Sequence, residues 1–246
     1  MRDSVFETLR SGATLLVASQ RQARTLQIAY GRWIQQQGQS AWPSPDLLTW
    51  NAWLERCWSD LFAPLLATKQ AVSHALLSPV QEAKLWKSVI GDSSFGDGLL
   101  QPHTTAQTVQ EAWRLSWEWE ISLPSADAAP NEDVRAFAVW SRVFDDRCRA
   151  GGWQDRARLA GTLVEAFASG RLNAPKRLLL FGFEELTRQQ ERLLEVLRRS
   201  GTAVETIETG SLPKSVVRHE LPGQLEEIAT AAQWARERLE AGASRI

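Results

Sequence analysis

The sequence is poor in cysteine, close to neutral in charge and without a long apolar run. Its two cysteines, Cys57 and Cys148, are far apart and lack CxxC spacing, which argues against a disulfide framework or a zinc site. The formal net charge of -1 means that contact with nucleic acid has to come from a local basic patch. No apolar stretch approaches a membrane span of about 20 residues, and the N-terminus lacks a signal-peptide core. These absences favour a cytoplasmic protein with no membrane partner.

The phosphate-binding loop GxxxxGK[ST] is also missing. That loop needs glycines for close approach of the backbone and a lysine for the β- and γ-phosphates. None of the five lysines follows a glycine. We therefore expect no nucleotide cofactor, no catalytic residue and no metal ligand in this chain. A nucleotide-binding enzyme with an irregular phosphate loop is the less favoured alternative.

Tryptophan, in contrast, is abundant, with 12 copies against a single tyrosine and a single methionine. Most of these tryptophans fall in the first half of the chain, on segments with helical periodicity. The favoured interpretation is that they wedge helices together in a core. Stacking platforms for single-stranded bases are the alternative.

Two strand-then-helix units predict a parallel α/β sheet. Residues 14–18 are apolar and are followed at once by Ser19, which can cap an amphipathic helix. Residues 178–181 form a second apolar run, too continuous for a half-exposed strand, before another amphipathic helix. Further strands are predicted at 202–207, at 215–221 and after a last helix that ends at Gly242. Functional residues are expected at the ends of such strands.

Residues 41–170 have the pattern of a block of helices. Candidate helices span residues 46–62, 78–90, 104–121, 132–150 and 154–169, with breaks rich in glycine, proline and serine between them. Ser78, Pro79 and Glu82 predict a helix start with a capping box. We predict an all-helical subdomain over residues 41–170, inserted into an α/β core of residues 1–40 and 171–246. That core is incomplete, which predicts that the chain is a fragment.

Polar residues follow the strands predicted at 14–18 and 178–181. Arg21 and Arg24 lie in the first turns of the helix after the first strand, as solvated surface residues or as contacts to backbone phosphates. Glu184 and Glu185 follow the second strand, two residues later than the Asp-Glu pair of a nucleotide-hydrolysing sheet. We interpret these glutamates as stabilising the dipole of the next helix, with magnesium binding as the alternative.

Four segments resemble the N-terminal region of AddB-type and RecB-like DNA repair proteins. They are LLVASQRQARTL (15–26), WPSPDLLTWNAWLERCW (42–58), LLFGFEELTRQQERLLEVL (179–197) and LEEIATAAQWARERL (225–239). That group comprises exonucleases with a helicase-like N-terminal portion and a PD-(D/E)XK nuclease domain near the C-terminus. The resemblance implies a P-loop-NTPase-like parallel sheet of the superfamily 1 helicase type, with the helical block as an inserted accessory subdomain.

The resemblance also implies roles for residues after the second predicted strand. Phe181, Gly182, Glu184 and Glu185 occupy the place of a degenerate Walker B motif. Gly182 and Glu185 match the glycine and the acidic residue of the family pattern GF..(D/E).T. This match implies that the ATPase chemistry is lost in this chain.

Other positions match family segments that contact DNA. Gln20, Arg21 and Arg24 match a segment similar to the helicase segment that touches single-stranded DNA. Thr187 completes the family pattern, and Arg188 departs from the proline that usually follows that threonine. These five are the candidate nucleic-acid-binding residues.

The resulting hypothesis is a non-catalytic helicase-like domain of a bacterial DNA repair and recombination protein. It would bind DNA, as a single strand or a duplex end, or scaffold a partner helicase or nuclease subunit. The nuclease acids would lie beyond Ile246, so the resemblance implies that the full-length protein is a nuclease. The alternative is a protein-interaction module that positions a partner helicase or the protein's own nuclease domain.

Overall fold

The computed structural model describes residues 2–67, 75–97, 101–207 and 218–243. The helices in these ranges are α1 (Arg2–Arg10), α2 (Gln20–Gln36), α3 (Trp50–Ala67), α4 (Pro79–Gly91), α5 (Pro102–Glu118), α6 (Glu132–Gly151), α7 (Leu159–Ala168), α8 (Arg188–Arg199) and α9 (Gln224–Glu240). The strands are β1 (Thr14–Val17), β2 (Leu47–Thr49), β3 (Ala75–Leu76), β4 (Trp153–Gln154), β5 (Arg177–Phe181) and β6 (Ala203–Ile207). The chain divides into two compact units, residues 1–209 and residues 210–246, and α9 belongs to the second.

Four of the strands form a parallel sheet in the order β2-β1-β5-β6. β1 is central, and its Leu15 faces Leu47 of β2 on one side and Leu179 of β5 on the other. Phe181 at the end of β5 is in register with Ile207 of β6. The expected parallel α/β architecture is therefore confirmed.

Helices cover both faces of this sheet, because alternate residues of each strand point to opposite sides. Leu15 and Leu179 pack with α1 and α2 on one face. Leu16, Leu178 and Leu180 pack with α3, α7 and α8 on the other. The three leucines of β5 are at most 2% exposed, which confirms a strand buried on both faces.

The prediction that residues 41–170 are all helical is wrong, since β2, β3 and β4 fall among them. The error is largest at the start of this block, where Leu47–Thr49 add an edge strand to the main sheet. Asp46, predicted to begin a helix, instead accepts a hydrogen bond from the Thr14 hydroxyl and pairs with Arg56. These contacts hold the start of β2 beside β1 and delay the helix to Trp50.

Helices α4, α5 and α6 share a core of their own. Trp86 stacks on Phe144 with 3.9 Å between ring centroids, and Trp113 packs edge-on against both rings. Seven tryptophans in the described residues are buried, which confirms the core interpretation for them: Trp33, Trp50, Trp53, Trp58, Trp86, Trp113 and Trp140. The division of the chain at residues 40 and 170 stays a prediction.

Three smaller expectations are also corrected. Ser78 and Pro79 begin α4 as predicted, but Gln81 and not Glu82 completes the capping box. The predicted helix 154–169 begins at Leu159, because Gln154 belongs to β4. Of the strand predicted at 215–221, residues 218–221 form no strand. Its first three residues and the strand expected after Gly242 lie outside the described residues.

Candidate functional site

The carboxyl ends of the parallel strands share one edge of the sheet, and three helices begin there. Ser19 follows β1, Thr49 is the last residue of β2, and Thr187 follows β5. All three carry a side-chain hydroxyl. Each accepts a hydrogen bond of 3.3 Å from a backbone N–H in the first turn of the next helix. Helices α2 and α8 carry complete capping boxes. The free N–H groups that would attract an anion are thus partly satisfied within the chain.

The chain reverses its winding between β1 and β5. From β1 it passes through α2 to β2 on one side, and from β5 it passes through α8 to β6 on the other. Helices α2 and α8 lie on opposite faces of the sheet. In open α/β sheets, ligands bind in the crevice outside the strand ends at such a switch point.

Gly182 and Gln22 meet at this crevice. Gly182 has a φ of +77°, and a Cβ placed on it would lie 2.2 Å from Nε2 of Gln22. The other end of the Gln22 amide accepts the backbone N–H of Ser19 at 3.2 Å. A glutamine side chain packed on a glycine therefore lies between the ends of β1 and β5.

The predicted site residues are divided between these elements. Gln20, Arg21 and Arg24 are exposed on the first turns of α2, and Arg188 is exposed at the start of α8. No described residue forms an ion pair with any of these three arginines. Thr187 is half-buried because it caps α8.

The four residues predicted to form a degenerate Walker B motif differ in exposure. Phe181 and Gly182 are half-buried, whereas Glu184 and Glu185 are exposed. Phe181 packs with the α2 face of the sheet. The two glutamates precede α8 by several residues, and their assignment to its dipole stays a prediction.

A cavity of about 250 Å³ adjoins the same edge. Its walls come from α3, α4, α5, the segment before α7 and the start of α8, including Trp50, Thr187 and Gln190. Four carboxylates and two arginines line it: Glu55, Glu82, Glu111, Glu118, Arg114 and Arg156. The sequence analysis did not identify this cavity.

Three of those carboxylates form ion pairs with the two arginines. Arg156 pairs with Glu55 across the cavity wall. Arg114 pairs with both Glu111 and Glu118 on α5. These hydrogen-bonded pairs raise the pKa of the Arg114 guanidinium and lower the pKa of the Glu111 carboxyl.

Glu82 is different, because it is 2% exposed and no arginine forms an ion pair with it. Burial raises its pKa to about 7, and the charge of Asp155 adds to that rise. The backbone N–H and guanidinium of Arg156 and the side chain of Gln110 act in the opposite direction. Its Oε2 atom has no hydrogen-bond partner among the described residues.

Asp155, whose charge acts on Glu82, belongs to a network of ion pairs with Arg158 and Asp145. Asp155 is fully buried, accepts the indole N–H of Trp113 at 3.2 Å and pairs with Arg158. Arg158 also pairs with Asp145 of α6 and lies over the rings of Trp113 and Trp117. The network therefore joins α5 and α6 to the start of α7.

A sequence pattern could have indicated the burial of Glu82. Trp86, Val89 and Ile90 follow it by four, seven and eight residues, and all three are at most 1% exposed. This spacing places Glu82 on the apolar stripe of α4. Glu82 was instead assigned to the capping box of α4, a role that leaves a side chain exposed at the helix start.

Fold and site together define an α/β protein with a four-stranded parallel sheet and a contact between Gln22 and Gly182 at its switch point. No protein-family model matches this chain, and no curated protein matches it at a significant level. Among the described residues, no helix is both long and apolar enough to cross a membrane. The same ranges hold no group of three or more metal-ligating side chains. Cys57 and Cys148 are buried free thiols, and burial raises the pKa of each to about 12.

Proposed function

We propose that this chain is the helicase-like N-terminal part of a bacterial DNA repair protein of the AddB or RecB type. In this proposal it holds a single strand or duplex end of DNA without hydrolysing nucleotide. The helical segments α4 to α6 correspond to the accessory subdomain inserted into the helicase-like sheet. The protein acts in the cytoplasm, and the nuclease belongs to the remainder of the full-length protein.

The observation that carries the proposal is the set of exposed arginines at the carboxyl edge. Arg21, Arg24 and Arg188 follow the two strands that flank the switch point, and they form no ion pair with described residues. An arginine in this state can contact a backbone phosphate without first breaking an ion pair. The packing of Gln22 on Gly182 supports the part of the proposal that excludes nucleotide binding, because it fills the space between the ends of β1 and β5. The arginines remain exposed beside it.

Fluorescence anisotropy with labelled single-stranded and forked DNA tests this function. The wild type should bind with an affinity that falls with salt and ignores ATP and magnesium. The Arg21→Ala/Arg24→Ala variant should bind more weakly. It should also reduce the slope of log K against log salt for single strands by about 1.4, or 0.7 for each lost phosphate contact.

The matched control is Arg192→Ala/Arg199→Ala, which removes the same charge from α8. Both control arginines are exposed and already paired, Arg192 with Glu120 and Arg199 with Glu195. Absence of wild-type binding at every salt concentration would contradict the proposal. Equal losses in the two double variants would contradict the assignment of the DNA contact to α2.

The alternative function is a protein-interaction module that positions a partner helicase or nuclease. The exposed apolar side chains of α9 favour it, since Leu225, Ile228 and Leu239 share one face of the helix and are 57 to 79% exposed. Such a patch is typical of a protein-binding surface. A DNA titration without binding, together with loss of subunit association in an Ile228→Ala variant, would favour this alternative.

A further inference from the structure

A groove of about 430 Å³ lies between the end of α5, the middle of α7 and the start of α8. Its walls include Trp117 of α5, Ile121 in the following segment, Gly161 of α7 and Gln189 of α8. Trp117 and Ile121 are 39% and 58% exposed, and a Cβ placed on Gly161 would meet no atom within 4 Å. The groove is therefore open to solvent and offers an accessible indole ring. Its size is that of a small-molecule pocket.

Trp117 is not among the buried tryptophans of the core, yet its neighbours fix its ring. It packs edge-on against Trp113 with 5.5 Å between ring centroids, and the guanidinium of Arg158 lies 5.9 Å from its centroid. Arg158 is itself held by ion pairs with Asp145 and Asp155. An aromatic ring that is already fixed loses little conformational entropy when a flat ligand stacks on it. Trp117 is thus suited to be a stacking platform.

The chain turns at Glu120 and brings Ile121 to the wall of the groove. Glu120 has a φ of +52°, a left-handed conformation that favours glycine after a helix. The N–H of Ile121 donates to the carbonyl of Ser116 at 2.8 Å and fixes this turn. Glu120 also pairs with Arg192 of α8 at 3.1 Å. These two are the charged residues that line the groove, so the lining itself carries no net charge.

An exposed arginine lies beside the groove. Arg188 directly precedes Gln189 and lies one helical turn before Arg192, and both of these residues line the groove. Arg188 forms no ion pair with a described residue. A fixed aromatic ring next to such a cation suits a nucleotide, whose base stacks while its phosphate meets the positive charge. An apolar side chain of a partner protein would use the ring but not the cation.

We propose that this groove binds an unpaired base of single-stranded DNA, which stacks on Trp117 while an adjoining phosphate contacts Arg188. Ile121 contacts the apolar part of the same nucleotide. The amide of Gln189 donates to the carbonyl of Ala157 at 2.8 Å, which holds its oxygen ready to accept an N–H from the edge of the base. The inference rests on the proposed function and narrows it to a single strand, because a base paired in a duplex cannot enter the groove.

The test compares two labelled single strands with the same number of phosphates by fluorescence anisotropy. One is oligothymidine, and the other is a strand of abasic tetrahydrofuran units. Both offer phosphates to Arg21, Arg24 and Arg188, but only oligothymidine offers bases. The protein variants are Trp117→Ala, Trp117→Phe and Trp153→Ala. Trp153 is the matched control, because it is also 39% exposed but lies on β4 and does not line the groove.

The wild type should bind oligothymidine at least about fivefold more tightly than the abasic strand, which is the low end of the contribution of one stacked base. Trp117→Ala should bind both strands with the wild-type affinity for the abasic strand. Trp117→Phe should keep part of the preference for bases, and Trp153→Ala should keep all of it. If Trp117→Ala misfolds, the wild-type comparison and Trp117→Phe still decide the test.

The outcomes separate this inference from the proposed function. Equal wild-type affinity for the two strands, falling with salt in both cases, would overturn the base site and leave the phosphate contacts intact. Equal loss of the preference in Trp117→Ala and Trp153→Ala would overturn its assignment to this groove. Binding of neither strand at any salt concentration would contradict the proposed function and this inference with it.

Discussion

The effect on stability of replacing Glu82 with glutamine should change between acid and alkaline pH. Glu82 is buried on the apolar stripe of α4, and burial raises its pKa from 4.5 to about 7. The folded protein therefore binds the Glu82 proton more tightly than the unfolded chain does. The stabilisation from this proton is fully present below pH 4.5 and is lost as the pH rises through about 7.

The magnitude follows from the two pKa values. A difference of about 2.5 between them corresponds to at most ~3.4 kcal/mol of unfolding free energy. Of this, about 2.5 kcal/mol is lost between pH 5 and pH 8, because the unfolded group is already mostly ionised at pH 5. Glutamine does not titrate, so Glu82→Gln removes this dependence. The stability of the variant relative to the wild type should rise by about 2.5 kcal/mol over that interval.

This difference is insensitive to how well the amide itself fits. An unsatisfied amide N–H beside the former Oε2 costs about 1 to 3 kcal/mol, but it does so equally at both pH values. Other carboxylates, such as Asp92 and Asp145, have lowered pKa values and titrate in the wild type and the variant alike. Their contributions cancel when the two proteins are compared at each pH.

The assay is urea unfolding followed by tryptophan fluorescence at pH 5, 6, 7 and 8. Urea is preferable to guanidinium, which is itself a small cation and could enter the cavity. Glu195→Gln is the control, because Glu195 is an exposed partner of Arg199 and should change stability little with pH over this range. A constant difference between wild type and Glu82→Gln from pH 5 to pH 8 would refute the account of Glu82.

Two further substitutions test the supports of the site by the same unfolding assay. Gly182→Ala should destabilise the protein by about 1 to 3 kcal/mol, because residue 182 has a positive φ and a Cβ there meets the side chain of Gln22. The companion Gln22→Ala/Gly182→Ala variant should recover part of that loss, and no recovery would contradict the contact. Asp155→Asn should cost about 3 kcal/mol, since it removes the fully buried charge that pairs with the partly buried guanidinium of Arg158. An Asp155→Asn loss below about 1 kcal/mol would show that Asp145 alone holds Arg158.

Much of the sheet could be predicted because its strands carry unambiguous local patterns. The runs at residues 14–18 and 178–181 are too apolar and too short for exposed helices, and each is followed by a hydroxyl residue that caps the next helix. The structure confirms both units and Ser19 as a cap. The apolar runs and the caps are local features of the chain, so a single sequence carries this information.

β2 could not be predicted in the same way. Leu47–Thr49 is a three-residue strand directly followed by α3, and its apolar residues continue the helical period of that helix. Only pairing with β1 and the contacts of Asp46 with Thr14 and Arg56 select the extended conformation. Those partners lie 10 to 32 residues away in the chain, so the pattern within a short window cannot reveal them.

The cavity was missed for a related reason, because its parts are distant in sequence and individually ordinary. Glu55 and Arg156 are 101 residues apart, and Arg114 on α5 has the common helical pairing with Glu111 and Glu118. Only the fold places these pairs around Glu82, which itself forms no ion pair with a described arginine. The arginines at the carboxyl edge show the opposite arrangement, cations without carboxylates. One end of the sheet therefore separates charge: arginines without ion-pair partners among the described residues lie on α2 and α8, while carboxylates outnumber arginines in the neighbouring cavity.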